Sequence, residues 1–361
     1  MKFDPEKPYG DLPLLPPSVE VETKPVLKKA IQAGRALAEL KGLGATIPNQ
    51  GILINSLILQ EAKASSEIEN IVTTNDALFV AFSASSSQGD PATKEVLRYR
   101  EALWEGFGAL KKRPLLTTNL FIRLVQTIRK NKAGIRNTPG TKVQNAATGK
   151  TIFTPPEGER LLRDKLKNLE DYIHTEDGVD PLVKLAVIHY QFEAIHPFTD
   201  GNGRIGRILN SLFLVQRGLL DLPVLYLSKY IIQHKSDYYR LLRAVTEKQQ
   251  WEPWILYILD AVQETADFTR KRIIDIRDLL EETAQLAKQK LPSRVYSREL
   301  LEMIFRQPYT KVQFLVEAGI AKRQTAAEYL KALEAVEILA AQKKGKEVLY
   351  VNTRLYALLS K

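Results

Sequence analysis

Residues 196–207 read His196-Pro197-Phe198-Thr199-Asp200-Gly201-Asn202-Gly203-Arg204-Ile205-Gly206-Arg207. Before this stretch Leu182, Leu185, Ile188, Phe192 and Ile195 recur at helical spacing, which predicts a buried helix ending near His196. Pro197 lacks an N–H and its ring crowds the preceding turn, so the helix stops there. Ile205, Ile208, Leu209, Leu212 and Phe213 form the next apolar stripe, on a helix that starts at Gly201 to Gly203. The loop between them is therefore held by two core helices. Similar stripes recur at Val96, Leu103, Phe107 and Leu110, at Leu162, Leu166, Leu169 and Ile173, and at Ile255, Leu259 and Val262, so the fold class is mainly α.

The residue types in that loop suit a nucleoside triphosphate. At a helix start several backbone N–H groups have no intrahelical acceptor and the dipole is positive, which favours phosphate oxygens. Gly201 and Gly203 let the backbone approach without an intervening Cβ, and Asn202 offers a side-chain donor. Arg204 and Arg207 share one face of the first turn, from which guanidinium groups can fork onto successive phosphates. Asp200 is a hard oxygen ligand suited to Mg²⁺ that bridges phosphates. His196 carries the side chain whose ordinary pKa lies near neutrality, making it the candidate proton acceptor for an attacking hydroxyl. Phe198 anchors the loop by burial.

The stretch matches, at every specified position, the signature His-x-Phe-x-Asp/Glu-Gly-Asn-Gly-Arg-x-x-Arg of the Fic (filamentation induced by cAMP) family, and the chain resembles that family. The resemblance implies a Fic-type helical bundle and a protein adenylyltransferase (AMPylase), which moves AMP from ATP to a side-chain hydroxyl of a target protein and releases pyrophosphate. It implies that His196 deprotonates the hydroxyl, Asp200 holds Mg²⁺, and Gly201, Asn202 and Gly203 bind the α-phosphate region. Arg204 and Arg207, with Ile205 and Gly206 in the same helical turn, would hold the β- and γ-phosphates. Ile195 would touch the nucleotide through its backbone alone, its main role being burial. Family members with this signature also move other phosphate-containing groups, so the motif identifies the machinery better than the cargo.

Upstream, Ser65 to Asn70 spells Ser-x-x-x-Glu-Asn, which is similar to the inhibitory-helix motif of Fic proteins that carry their own brake. A helix bearing Leu57, Ala64 and Ile68 on its buried face would point Glu69 at Arg207. The carboxylate would then occupy the guanidinium that the γ-phosphate needs. Ser65, Glu69 and Asn70 form the inhibitory set, with Glu69 also bordering the nucleotide site.

From Thr141 to Thr154 the chain alternates around Val143, Ile152 and Phe153, with Thr148-Gly149-Lys150 as a turn and Pro155-Pro156 closing the run, the pattern of a β-hairpin. It looks similar to the family's flap, which pairs with the extended backbone of a target presenting a Tyr, Thr or Ser hydroxyl. Downstream, Tyr238 and Tyr239 point about a quarter-turn apart on a helix, so one is core. By resemblance the other, assigned here to Tyr239, seats the adenine.

The chain has 361 residues, of which 44% are hydrophobic, enough for a large core divided among two or three units. Residues 1–90 form an arm and inhibitory-helix region, 91–290 the Fic core, and 291–361 a separate module. Pro8, Pro13, Pro16 and Pro17 make the first two dozen residues an extended arm rather than a signal peptide, and Ser83 to Pro91 reads as a dividing loop. No window is long and apolar enough for a membrane span. The absence of cysteine excludes disulfides, thiol nucleophiles and cysteinyl metal sites, and a cytoplasmic location is expected. Of the four histidines, His174 and His234 lack metal spacing, and His189 reads as a satisfied core residue.

In the last module, Arg298 to Phe305, Lys311 to Glu317 and Lys322 to Ala335 predict three helices. A basic turn, Lys343-Lys344-Gly345-Lys346, then leads into a strand around Val348 to Val351, the outline of a winged helix-turn-helix. The net charge of +10 keeps DNA open as a partner, though not the favoured one, beside a homodimer and the target protein. The alternative to the transferase is accordingly a DNA-binding regulator in which the Fic site senses nucleotide.

Overall fold

Helix boundaries in the computed structural model, which describes residues 3–45, 50–83, 89–144, 149–344 and 347–360, follow local capping signals. Helices α1 (Lys24–Ala45), α2 (Gln50–Ile68) and α3 (Asn75–Ser83) come first. Asp90 accepts the Thr93 N–H (2.9 Å) and Pro91 takes the first turn, opening α4 (Pro91–Lys112). The Thr117 hydroxyl caps α5 (Thr118–Arg129) by accepting the Leu120 N–H (3.2 Å). Strands β1 (Val143–Gln144) and β2 (Thr151–Phe153) precede α6 (Glu159–His174). Asp180 and Pro181 then open α7 (Pro181–Ile195), followed by α8 (Asn202–Gln216), α9 (Leu227–Gln233), α10 (Lys235–Lys248) and the 40-residue α11 (Trp251–Lys290).

The two helices flanking the loop at 196–201 form the centre of the molecule. From Leu182 to Ile195 every residue of α7 is buried except Glu193. It packs on α8, α6, α11 and α1, while α8 is covered by α4, α5 and α2. Burial from all sides explains why apolar residues occupy every face of α7 rather than a single stripe. Close approach of α4 to α8 occurs at Gly106, where a Cβ would lie 2.5 Å from Leu212 Cδ1. Leu57, Ala64 and Ile68 bury one side of α2 as expected.

The hairpin is antiparallel, pairing Val143 with Phe153 and Gln144 with Thr151. Of the expected turn residues, Gly149 has the positive φ (+67°) a turn favours and precedes Lys150, while Thr148 lies outside the described residues. Among its described residues the N-terminal arm has no helix or strand before Lys24, and it straps the hairpin to α6. The Tyr9 N–H donates to the Thr154 carbonyl (3.0 Å), the Thr154 hydroxyl to the Pro5 carbonyl (2.6 Å), and the Phe3 ring stacks on Phe153. Lys165 donates to the Leu12 carbonyl (2.6 Å), and Asn168 accepts the Leu15 N–H (2.8 Å). The loop expected at Ser83 to Pro91 joins α3 to α4, its residues 84–88 lying outside the described ones.

Beyond α11 come α12 (Arg298–Phe305), β3 (Tyr309–Thr310), α13 (Val312–Glu317), α14 (Arg323–Ala335), β4 (Ala340–Lys344), β5 (Glu347–Val351) and α15 (Thr353–Ser360). The three strands make an antiparallel sheet in the order β3-β5-β4. The three expected helices and the strand near Val351 are present; β3, β4 and α15 are additions, two-residue β3 being too short to show periodicity. Gly345 and Lys346 of the basic turn lie outside the described residues. Tyr309 stacks on Phe79 of α3, and the Ser83 hydroxyl donates to the Tyr309 carbonyl (3.2 Å), docking this region on the N-terminal helices. Among the described residues no helix is long and apolar enough to cross a membrane.

Candidate functional site

His196 is the C-cap of α7 and sits in the left-handed region (φ 50°, ψ 58°), a strained setting for a residue with a Cβ. Its N–H donates to the Phe192 carbonyl (3.0 Å), and Arg136, 3% exposed, donates from Nε to its carbonyl (2.8 Å). Arg136 also reaches the carbonyls of Ile195 (3.5 Å) and Pro156, so one guanidinium ties the loop at 196–201 to the chain leaving the hairpin. Burial, with the Arg136 charge adding to it, lowers the His196 imidazole to about 4, against the opposing pull of the Glu193 carbonyl and Asp200. The ring is therefore neutral at pH 7, the form that accepts a proton.

A cavity of about 470 Å³ opens beside it, lined by His196, Gly201, Asn202, Gly203, Arg207 and Tyr239 among others. Gly201 (φ +85°) turns the chain into α8, whose N-terminus has no side-chain cap, so its leading N–H groups remain for an anion. Asn202 differs from the sequence expectation. Its amide bridges the loop, accepting the Phe198 N–H (2.8 Å) and donating to the Phe198 carbonyl (2.7 Å), and it therefore shapes the cradle rather than pointing a donor into it. Phe198 is buried against Phe192, as its anchoring role requires. Ile195 and Ile205 are fully buried and, with Gly206, do not line the cavity. A Cβ at Gly206 would meet Glu193 Oε1 at 2.4 Å, so this glycine makes room for a neighbouring carboxyl.

Glu69 closes the site. It accepts from Arg207 Nη2 (3.0 Å) and also from Arg204 Nε (2.7 Å), so both signature arginines are engaged where only Arg207 was expected. Ser65 holds Arg207 in place, its hydroxyl accepting from Nε and its carbonyl from Nη2, both at 2.7 Å. Both guanidinium groups are almost wholly buried. Burial disfavours their charge, but Glu69 together with the other nearby acceptors, Glu95 and Asp200 for Arg204 and Glu193 for Arg207, raises both above the usual arginine pKa. The carboxylate lies directly over Gly203, where a Cβ would be 2.6 Å from Glu69 Oε1. Asn70, exposed at φ 64°, contributes the left-handed turn that ends α2 and leaves Glu69 facing α8.

Arg204 does not border the cavity; it is held among Glu69, Glu95 and Asp200 (3.4 Å). Asp200 borders the cavity with a half-exposed side chain and pairs with Arg129 as well. Among the described residues no three metal-ligating side chains converge, so any cation here takes most of its ligands from elsewhere. One carboxylate beside a phosphate cradle fits Mg²⁺, which is ordinarily held by one or two carboxylates plus substrate phosphates and water. Both tyrosines border the cavity, but Tyr238 is the core one, 2% exposed with its hydroxyl 2.9 Å from His189 Nε2, and Tyr239 is the more open of the two. Sequence reading missed Arg136, Glu95, Arg129 and Glu193. Glu193 borders the cavity with Oε1 buried and unpartnered, and burial raises its carboxyl to about 7. The one local hint was a carboxylate on a helix whose other residues are mostly apolar.

Residues 115–214 match the Fic/DOC family model, residues 27–108 the Fic/DOC family N-terminal model, and residues 279–355 the model described as protein adenylyltransferase SoFic-like, C-terminal domain. Over 79 residues the chain is 38% identical to "Probable protein adenylyltransferase aq_aa38" of Aquifex aeolicus, covering 22% of this chain and 24% of that protein. Over 110 residues it is 32% identical to protein adenylyltransferase fic-1 of Caenorhabditis elegans, covering 29% and 20%. The matched segments span about a quarter or less of the length of these curated relatives. A crystal structure of a Fic family protein from Desulfovibrio desulfuricans superposes with a TM-score of 0.59 at 18% identity, covering 93% of this chain and 98% of that one. A Fic domain containing signaling protein from Bacteroides thetaiotaomicron superposes at 0.54 with 19% identity, covering 68% and 96%. The fold is thus that of Fic proteins, and the chain carries Fic/DOC family N-terminal and core domains followed by a SoFic-like C-terminal domain.

Proposed function

We propose that this protein is an adenylyltransferase that transfers AMP from ATP to a side-chain hydroxyl of a target protein and is restrained by Glu69. The observation that carries the reading is that a neutral His196, the Gly201–Gly203 cradle and Arg207 border one cavity. The target strand adds to the 141–154 hairpin and brings its Tyr, Thr or Ser hydroxyl to His196. The imidazole takes the hydroxyl proton as the oxygen attacks the α-phosphorus. A new O–P bond forms, the bond to the β-phosphate bridging oxygen breaks, and pyrophosphate leaves with that electron pair. The N–H groups at the start of α8 hold the α-phosphate, Arg204 and Arg207 the β- and γ-phosphates once Glu69 withdraws, and Tyr239 borders the adenine. Asp200 would hold Mg²⁺, which when bound offsets phosphate charge.

In this reading residues 1–90 carry the arm and brake, 91–290 the catalytic core, and 291–361 a winged-helix module, in a cytoplasmic protein that can pair with a second copy. The relatives named above are transferases, which favours an enzyme over a DNA-binding regulator. Label should pass to protein from ATP labelled at the α-phosphate and not at the γ-phosphate. His196→Ala should reduce it about a hundred- to ten-thousandfold. Equal transfer from both labels would refute adenylyl transfer.

A further inference from the structure

Gln60, Lys63, Ala64 and Glu67 form a stripe on α2 roughly opposite Ser65 and Glu69. Behind that stripe lies a second cavity of about 230 Å³, walled by α2, α9, α11 and α15 and about half the size of the nucleotide cavity. Its walls carry three cations, Lys63, Lys229 and Arg272, against one carboxylate, the exposed Glu67. Lys229 Nζ lies 3.2 Å and Arg272 Cζ 4.9 Å from the centroid of the same Phe268 ring. Arg272 is only 8% exposed, burial lowers its pKa, and the carboxylate that acts on it, Asp275, does so at longer range without a hydrogen bond. Burial and the neighbouring Arg272 both press the Lys229 ammonium below its ordinary pKa. Gln60, also 8% exposed, lines the cavity with its Nε2 donor buried and unpartnered. A buried guanidinium without a bonded carboxylate and a buried amide without an acceptor are each costly, and a single small polyanion relieves both.

We propose that this cavity binds a phosphate group, free or on a small phosphomonoester, with Gln60, Lys63, Lys229 and Arg272 as its donors. Such a ligand bridges α2 to α9 and α11. Since it binds best when α2 is docked, it also favours the arrangement in which Glu69 holds Arg204 and Arg207, a consequence that rests on the reading of Glu69 as a brake.

The test is calorimetric titration of the full chain with inorganic phosphate and with glycerol phosphate at constant ionic strength. Saturable binding is expected, weakened at least about tenfold by Arg272→Gln and by Lys229→Gln. Tighter binding of one probe identifies free anion or monoester as the form recognised. Lys229 is partly exposed, so its variant keeps the test open if Arg272→Gln fails to fold. No binding at millimolar phosphate, or equal binding by Lys229→Gln protein, as a phosphate lodged in the nucleotide cavity would give, overturns the proposal. Phosphate should also lower labelling in wild type and not in Glu69→Gly protein; binding with no such effect would overturn the coupling while leaving the site and the Glu69 reading separately decided.

Discussion

Replacing Glu69 by glycine removes one carboxylate from two buried guanidinium groups and should open the nucleotide site. The carboxylate accepts at 2.7 Å from Arg204 and at 3.0 Å from Arg207, and it is itself only 23% exposed, so solvent screens these contacts weakly. Hydrogen bonds to charged groups contribute about 1.5–3 kcal/mol each, and two at the lower figure amount to about 3 kcal/mol that ATP must displace. At about 1.4 kcal/mol per tenfold, ATP should bind roughly a hundredfold more tightly once Glu69 is gone. The comparison is best made by titrating ATP into His196→Ala protein with and without Glu69→Gly, where turnover cannot distort the affinity. Labelling by the Glu69→Gly protein with His196 intact should rise in parallel. Affinity within about threefold of the parent, with unchanged labelling in a folded variant, would refute the brake. Both arginines lose a partner in this variant, so its melting temperature should fall even as its activity rises.

Other consequences are equally open to measurement. Because burial and Arg136 lower His196 to about 4, kcat/KM of the Glu69→Gly enzyme should stay level as pH falls through 6.5 and decline only near 4; a break at 6.5 would contradict this. The same depression links to stability. An unfolded imidazole takes up its proton near 6.5 and the folded one only near 4, so this contribution is full above 6.5 and is lost as pH falls towards 4, as urea titrations of wild type and His196→Ala would reveal. Gly106→Ala places a methyl 2.5 Å from Leu212 Cδ1 and should cost about 1–3 kcal/mol in denaturant unfolding, an unchanged midpoint being the contrary result. Arg136→Lys loses the fork joining His196, Ile195 and Pro156, and kcat should drop about ten- to a hundredfold with little change in the KM for ATP; a change confined to KM would mean that Arg136 does not position His196.

Much of the candidate site is legible in the sequence because its parts are contiguous. Pro197 stops one helix, Gly201 turns the chain into the next, and the groups proposed to bind phosphate follow within one turn, an order set by backbone sterics over a few residues. Caps at Asp90, Thr117 and Asp180 likewise act over three residues, and the apolar stripes of α4, α6 and α11 announce helices of ordinary amphipathic kind. What stayed hidden depends on who meets whom across the core. Glu69 is 135 positions from Arg204, and nothing local says that it engages that arginine as well as Arg207. Arg136 is 60 positions from the carbonyl it holds, in a stretch with no periodicity of its own. Asn202 bears a donor suited to phosphate, yet packing turns it inward onto Phe198. Residue chemistry and short-range sterics are written along the chain, whereas the pairing of buried charges is selected by side-chain packing between distant helices, where desolvation leaves each guanidinium or carboxyl few partners.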